Sequence, residues 1–191
     1  MLLTPSHASL APSEWVRRWS HLAATGASVL DVACGSGRHM AWFAGRGHQV
    51  TGVDRAPEAV ASAGAFGEAV QADIESGPWP FAGRHFDVVV VTNYLWRARL
   101  PDIVAAVAPG GLLLYETFAQ GNETVGKPSR ADFLLAPGEL LAACAGLRVV
   151  AYEDGFLAAP ERFVQRIAAA RPSAGAGALP ERYPLGPPGA S

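Results

Sequence analysis

The sequence predicts an α/β fold: a mostly parallel seven-stranded sheet with a terminal antiparallel strand, and helices on both faces. Three observations predict it. Strand-like and helix-like runs alternate from about residue 28 to residue 144, a pattern that calls for parallel strands joined by crossover helices. An apolar run, Val29-Leu30-Asp31-Val32, breaks into Ala33-Cys34-Gly35-Ser36-Gly37 just before a helical pattern. The last two strand-like runs, 147–152 and 162–169, have a turn-rich segment and no helix between them, so they pair antiparallel.

The elements follow in order. Pro12-Ser13 opens a short helix with Ser13 as its N-cap. Trp15, Val16, Trp19 and Leu22 fall on one side of it. Strands are expected near 28–33, 48–53, 68–72, 86–92 and 111–117, and helices near 37–46, 56–64, 99–107 and 137–144. Pro57 and Pro137 suit first-turn positions, each with a Glu close behind. Residues 1–170 read as one domain. From Arg171 to Ser191 the chain is rich in Pro, Gly and Ala and reads as a mobile tail.

Bulk properties bound the function. A chain of 191 residues, 50% hydrophobic and 17% charged, can bury a full core. Its net charge of −2 gives no electrostatic footprint for nucleic acid. No apolar run approaches the roughly 20 residues that span a membrane, and no signal peptide is evident. Two cysteines make neither a disulfide framework nor a metal cluster. A cytoplasmic protein without a metal is expected. The oligomeric state stays open.

The glycine turn carries the chemistry. Without a Cβ, glycine lets the backbone turn sharply and approach a ligand closely. The free N–H groups of the first helical turn then face that ligand. A dinucleotide fingerprint wants a third glycine where Met40 stands, and no Gly-Lys-Ser/Thr follows. Asp54 closes the second strand about twenty residues on, where an acid can accept from both ribose hydroxyls.

Five segments in register resemble the motifs of class I S-adenosylmethionine-dependent methyltransferases, over about residues 12 to 170. They are Asp31–Gly37, the strand ending at Asp54, Val70-Gln71-Ala72-Asp73-Ile74, the strand running into Thr92-Asn93-Tyr94, and Val107-Ala108-Pro109-Gly110-Gly111. The resemblance implies a Rossmann-like fold, S-adenosyl-L-methionine as cofactor, and methyl transfer. It places Asp31, Ala33, Cys34, Gly35, Gly37, Asp54, Arg55, Asp73, Ile74 and Asn93 at the cofactor. Asp31 would organise the methionine end, Asp73 would accept from the adenine amine, and Ile74 would lie against the ring. Cys34 reads as packing there. The segment after the fifth strand is similar to that of tellurite-resistance-type methyltransferases.

On the acceptor side, Tyr94, Trp96, Arg97 and Glu116 fall at the carboxyl edge of the sheet, where open α/β folds bind ligands. Residues 119–136 are long for a connection and carry Lys127, Arg130 and then Phe133-Leu134-Leu135. They read as a flap, with Arg130 facing substrate. Tyr94, Glu116 and His39 are candidate general bases, and the catalytic residue stays open. His39 otherwise reads as surface or supporting packing. Arg17 or Arg18 could pair with the cofactor's carboxylate or keep a solvated head. A small-molecule acceptor is expected, with no nucleic acid and no membrane. The alternatives are a non-catalytic S-adenosylmethionine-binding sensor or partner subunit, and a methyltransferase acting on RNA or protein.

Overall fold

The computed structural model describes residues 11–173, 175 and 181–186. Helix α1 (Glu14–Trp19) precedes β1 (Ser28–Val32), α2 (Arg38–Ala44), β2 (Gln49–Asp54), α3 (Pro57–Ala63), β3 (Glu68–Gln71) and β4 (Phe86–Thr92). Then come α4 (Leu100–Ala105), β5 (Val107–Phe118), α5 (Glu139–Ala143), β6 (Arg148–Ala158) and β7 (Glu161–Ala170). The sheet order is β3-β2-β1-β4-β5-β7-β6. Neighbours from β3 to β5 are parallel, and β7 runs antiparallel to both β5 and β6. The order reverses between β1 and β4, which opens a ligand crevice at their carboxyl ends.

The central strands are nearly continuous runs of Val and Leu because both faces are covered. Trp15, Val16 and Trp19 of α1 and Met40 and Phe43 of α2 pack on one face, against Val29, Val88, Val90 and Leu114. Ile103 of α4 and Leu140 of α5 pack on the other, against Leu30, Val89, Leu113 and Ile167. Ser13 caps α1 as expected, its Oγ accepting from the Val16 N–H at 3.2 Å.

Two strands run well beyond their expected bounds. β5 begins at Val107 because Gly110, at φ +77°, lets the chain bulge within it. The register jumps there from Phe86–Val107 to Val88–Leu112. β6 continues past Tyr152 to Ala158 as an edge strand. Its half-buried Glu153 and exposed Asp154 and Gly155 break the apolar pattern of the strand.

Of the segment expected to be a mobile tail, residues 174, 176–180 and 187–191 lie outside the described residues. Arg171 donates to the carbonyls of Val104 and Val107 at 2.7 and 2.8 Å. Farther on, the Pro184 carbonyl lies 3.0 Å from Nε2 of His21. No helix among the described residues is long and apolar enough to cross a membrane.

Candidate functional site

The turn after β1 is held from both sides. The Cys34 N–H donates to the Val53 carbonyl at 3.0 Å. Asp54 accepts from the Gly35 N–H on one carboxylate oxygen and from the Ala56 N–H on the other, both at 2.9 Å. One acid therefore ties the glycine turn to the start of α3. Ala33 sits at φ +54°, a left-handed conformation that costs a non-glycine residue roughly 1–2 kcal/mol. Such strain collects at functional sites.

The two glycines do different things. A Cβ on Gly35 would meet nothing within 4 Å, so this position is open to a ligand. A Cβ on Gly37 would stand 3.0 Å from Ala63 and Phe66, so this glycine lets α3 pack against the turn. Cys34 fits the packing role: its sulfur would lie 2.8 Å from a Cβ on Gly52. Burial pushes its thiol up to about 12.

Next to the turn opens a cleft with about 440 Å³ of free space. Ala33, Asp54, Arg55, Asp73, Ile74 and Tyr94 line it. Six of the residues read from the sequence as site residues thus meet in one place. Asp73 also organises its own turn, accepting from the Glu75 and Ser76 backbone N–H groups and from the Ser76 hydroxyl. Those bonds, the Ser76 hydroxyl foremost, hold its carboxyl below the usual range. Arg99, which sequence reading missed, fixes this wall by donating to the carbonyls of Ile74 and Gly77 at 2.5 Å each. Tyr94 was expected to face the acceptor, yet it lines this cleft. Its hydroxyl is buried without a partner, and burial pushes its pKa upward, which makes it a poor base.

Asp31 lies on the α1 face of the sheet, 1% exposed, and its Oδ2 has no hydrogen-bond partner among the described residues. Burial first, then Asp54, raises its carboxyl to about 8, with Arg38 opposing. His39, read as surface or supporting packing, is 2% exposed. Its Nε2 accepts from the Ser13 N–H at 3.2 Å, and its Nδ1 is 3.8 Å from Asp31 Oδ2. Burial and Arg38 push its pKa down to about 3. A ring held neutral between two fixed neighbours is not poised as a base.

Farther along the same face, Thr92, Glu116 and Arg166 stand in register on β4, β5 and β7. Glu116 was expected to face substrate or act as a base. The structure buries it at 2% exposure, 3.4 Å from Arg166 and 3.8 Å from Arg162. A buried carboxylate needs such partners. Arg166 also binds Glu153, which Arg18 reaches at 3.1 Å. Arg38 donates to the Thr92 hydroxyl at 3.3 Å. The cluster holds Arg18, Arg162 and Arg166 against Glu116 and Glu153, one positive charge in surplus, and the Nε of Arg162 is buried without a partner. Sequence reading missed Arg162 and Arg166. Their spacing of four along an ordinary strand placed them on one face, but nothing marked that face as a site.

The remaining candidates are engaged elsewhere. Arg97 forms a double ion pair with Glu139 and donates to the carbonyls of Asp132 and Leu134 at 2.8 Å. It fastens the return of the 119–136 loop and is not free to hold a substrate. Asn122, buried, fastens the other limb by donating to the Pro128 carbonyl and accepting from the Phe163 N–H. Arg130 pairs with Asp132 within the loop at 73% exposure. Arg18 is committed to Glu153, and Arg17 lies 5.8 Å from the centre of the Trp42 ring. Trp96 is half-buried. Asn93 is exposed at the end of β4 with φ +54°, its N–H donating to the Glu116 carbonyl.

Residues 29–111 match the family model described as a methyltransferase domain. The chain is similar in structure to TehB from Haemophilus influenzae, at 20% identity and a TM-score of 0.65, over 88% of this chain and 63% of that one. A TehB-like SAM-dependent methyltransferase from Corynebacterium glutamicum is similar at 20% identity and a TM-score of 0.62, over 87% of this chain and 92% of that one. The [4+2]-cyclase SpnF is similar at 18% identity and a TM-score of 0.63, over 84% of this chain and 79% of that one. Nothing matches among curated protein sequences. The fold is that of class I S-adenosylmethionine-dependent methyltransferases, similar to TehB, and the cofactor of that class is S-adenosyl-L-methionine.

Proposed function

We propose that this protein transfers the methyl group of S-adenosyl-L-methionine to a small acceptor that is anionic or strongly polar, and that it works in the cytoplasm. The observation that carries the cofactor reading is the cleft itself. Asp54, Asp73, Ile74 and Tyr94 line it, and Asp31, with an unpartnered buried oxygen, stands on the neighbouring strand. Asp54 would hold the ribose, Asp73 and Ile74 the adenine, and Asp31 the methionine end. Open space at Gly35 fits a ligand against the backbone there.

The cofactor, when bound, supplies an activated methyl group, so the hard chemistry belongs to it. The chain's own residues bind, orient and exclude water. Fixing donor and acceptor in line can supply roughly 7–11 kcal/mol of barrier lowering. Arg162 supports an anionic acceptor: its Nε has no partner and its cluster holds one surplus positive charge. Neighbouring strands lie about 4.8 Å apart and residues rise about 3.3 Å along a strand, which sets Glu116, two strands over and two residues farther along, roughly 12 Å from Asp31. That is a fitting span between the methionine end and an acceptor. The surplus charge favours an oxyanion, carboxylate or thiolate, acceptors that arrive deprotonated and need no general base.

Fold does not fix function, and the likeness to a [4+2]-cyclase favours a second reading, a chain that binds the cofactor without transferring its methyl group. One experiment separates the two. The protein is offered thiol, chalcogen-oxyanion, carboxylate, amine and hydroxyl acceptors, and S-adenosylhomocysteine is measured. Turnover with an anionic acceptor is the expected result. Binding of the cofactor with no product from any acceptor class would leave the non-catalytic reading standing.

A further inference from the structure

Helix α1 and the glycine turn are separate elements, and one side chain links them. His39, in the first turn of α2, lies between Ser13, the N-cap of α1, and Asp31 of β1. The Ser13 N–H donates to Nε2, so that nitrogen carries no proton in this arrangement. In the neutral ring the proton then sits on Nδ1. Nδ1 is 3.8 Å from Asp31 Oδ2, too far for a hydrogen bond. That oxygen is buried without a partner, and Asp31 as a whole is 1% exposed. The arrangement sets a ring N–H near an unsatisfied carboxyl oxygen, just beyond hydrogen-bond reach.

We infer that His39 is a positioning residue that couples the docking of α1 to the ionised state of Asp31 at the cofactor's amino-acid end. The inference rests on the cofactor reading above. With α1 docked, the Ser13 N–H fixes the tautomer, and the Nδ1–H is presented to Asp31. Ionised Asp31 draws that N–H into a hydrogen bond and offers its charge to the cofactor's ammonium. If α1 lifts, Nε2 loses its donor, the tautomer is no longer fixed, and Asp31 loses its support. Cofactor binding and α1 docking therefore favour each other, a reciprocity that linkage requires.

The charges around Asp31 set the direction of the pH effect. Arg38 from α2 favours its ionised form, while Asp54 from β2 and burial oppose it. His39 stays neutral through the working range. Burial pushes the carboxyl up to about 8, so in the free protein it keeps its proton at neutral pH. A bound ammonium needs the ionised form, so binding releases a proton. Affinity must then rise with pH until the carboxyl of the free protein is ionised, and level off above that point.

Two amide variants split the two links. His39→Asn sets an amide near the place of Nδ1, keeping a donor for Asp31 and losing the acceptor for Ser13. His39→Gln sets its amide near the place of Nε2, keeping the acceptor for Ser13 and losing the donor for Asp31. S-adenosylhomocysteine, which carries the same ammonium, is titrated calorimetrically into each full-length protein between about pH 6 and about pH 8. Amide exchange of α1 is followed with and without it. His39→Gln should weaken binding about tenfold, as expected for loss of a hydrogen bond to a charged group, and move the rise in affinity to higher pH. Its α1 exchange should stay slow. His39→Asn should keep the pH profile near that of the parent, while α1 exchanges faster and gains less protection on binding. Asp31→Asn, which leaves His39 untouched, should bind weakly with no pH dependence over this range. Identical behaviour of the two amide variants in both measurements overturns the coupling, as does a pH profile unchanged by Asp31→Asn. If the parent protein binds no S-adenosylhomocysteine at any pH, the cofactor reading itself falls.

Discussion

The half of the sheet formed by β1, β2 and β3 and the half formed by β5, β6 and β7 build their polar sites in opposite ways. In the first, each functional group sits at or just past the end of a parallel strand. Ala33 and Gly35 follow β1, Asp54 ends β2, and Asp73 follows β3. Hydrogen bonds to backbone N–H groups at the strand ends hold them, as Asp54 holds Gly35 of the turn after β1 and Ala56 of its own. In the second half, Glu116, Arg166 and Glu153 lie far apart in sequence and meet only because β5, β7 and β6 pair in one register. The first half presents backbone and open space to a ligand, and the second presents charge. A cofactor with one fixed shape can be held by short motifs. An acceptor cluster built across strands can change with any one of them.

The sharpest way to break the contrast is to remove Arg166. Glu116 would then keep only Arg162, at 3.8 Å, inside a pocket that leaves it 2% exposed. Breaking a buried pair on one side costs about 3–5 kcal/mol. In a domain of this size each kcal/mol lowers the melting temperature by roughly 2–4 °C. Arg166→Met should therefore lower it by roughly 6–20 °C. Adding Glu116→Leu should restore much of that, because the most deeply buried charge goes with it, while Arg162, 23% exposed, keeps access to solvent. Thermal unfolding of the single and double variants checks this. A double variant as unstable as the single one would show that Arg166 acts through its contact with Trp15, 5.0 Å from the ring centre, and not through charge.

The cofactor half should answer differently, losing affinity more than stability. Asp54→Ala should weaken S-adenosylmethionine binding by roughly 1.5–3 kcal/mol, the scale of hydrogen bonds to a charged group. That is about ten- to a hundredfold by titration calorimetry. The structure adds a second loss, because the Gly35 and Ala56 N–H groups lose their acceptor. Both can turn to water at the open cleft, so the fall in stability should stay near 1 kcal/mol or below. An unchanged binding constant in a folded Asp54→Ala protein would mean that the carboxylate serves the turn alone.

The same contrast explains what the sequence revealed. Parallel strands buried on both faces are apolar runs, so β1, β2 and β4 were legible within a residue or so. The glycine turn, Asp54 and Asp73 could be read because each sits where a strand stops. Edge strand β6 was read only to Tyr152, because Glu153-Asp154-Gly155 interrupts its apolar run and the rest owes its form to pairing with β7. Glu116 was noticed but given the wrong neighbourhood: sequence places it at the carboxyl edge and says nothing of two arginines folding back from β7. Tyr94 and Arg97 stand three residues apart, yet one turns into the cofactor cleft and the other clamps the loop. His39 was underrated for the same reason. Its partners Ser13 and Asp31 lie 26 and 8 residues back, in different elements.

The smallest expected effect belongs to the loop that sequence reading cast as a lid. Read from the sequence, Arg130 faces substrate, and Arg130→Ala would lower kcat/KM tenfold or more, about 1.4 kcal/mol. In the structure Arg130 pairs with Asp132 two residues away and lies 5.3 Å from the centre of the Phe133 ring. An exposed pair of this type contributes roughly 0–1 kcal/mol, so removing it should barely change stability. The loop's limbs are already fastened by Asn122 and by Arg97. Closure over an acceptor would then involve only the exposed tip, near residues 123–131. If that tip closes with Arg130 on an anionic acceptor, the side chain must leave Asp132, and part of the gain is lost in breaking that pair. Arg130→Ala should then lower kcat/KM by about threefold, with cofactor affinity unchanged. A tenfold loss would restore Arg130 to the acceptor site and move the charge reading from Arg162 to the loop. No loss, with equally fast amide exchange at the tip in every ligand state, would make the loop a connector and leave acceptor recognition to the sheet.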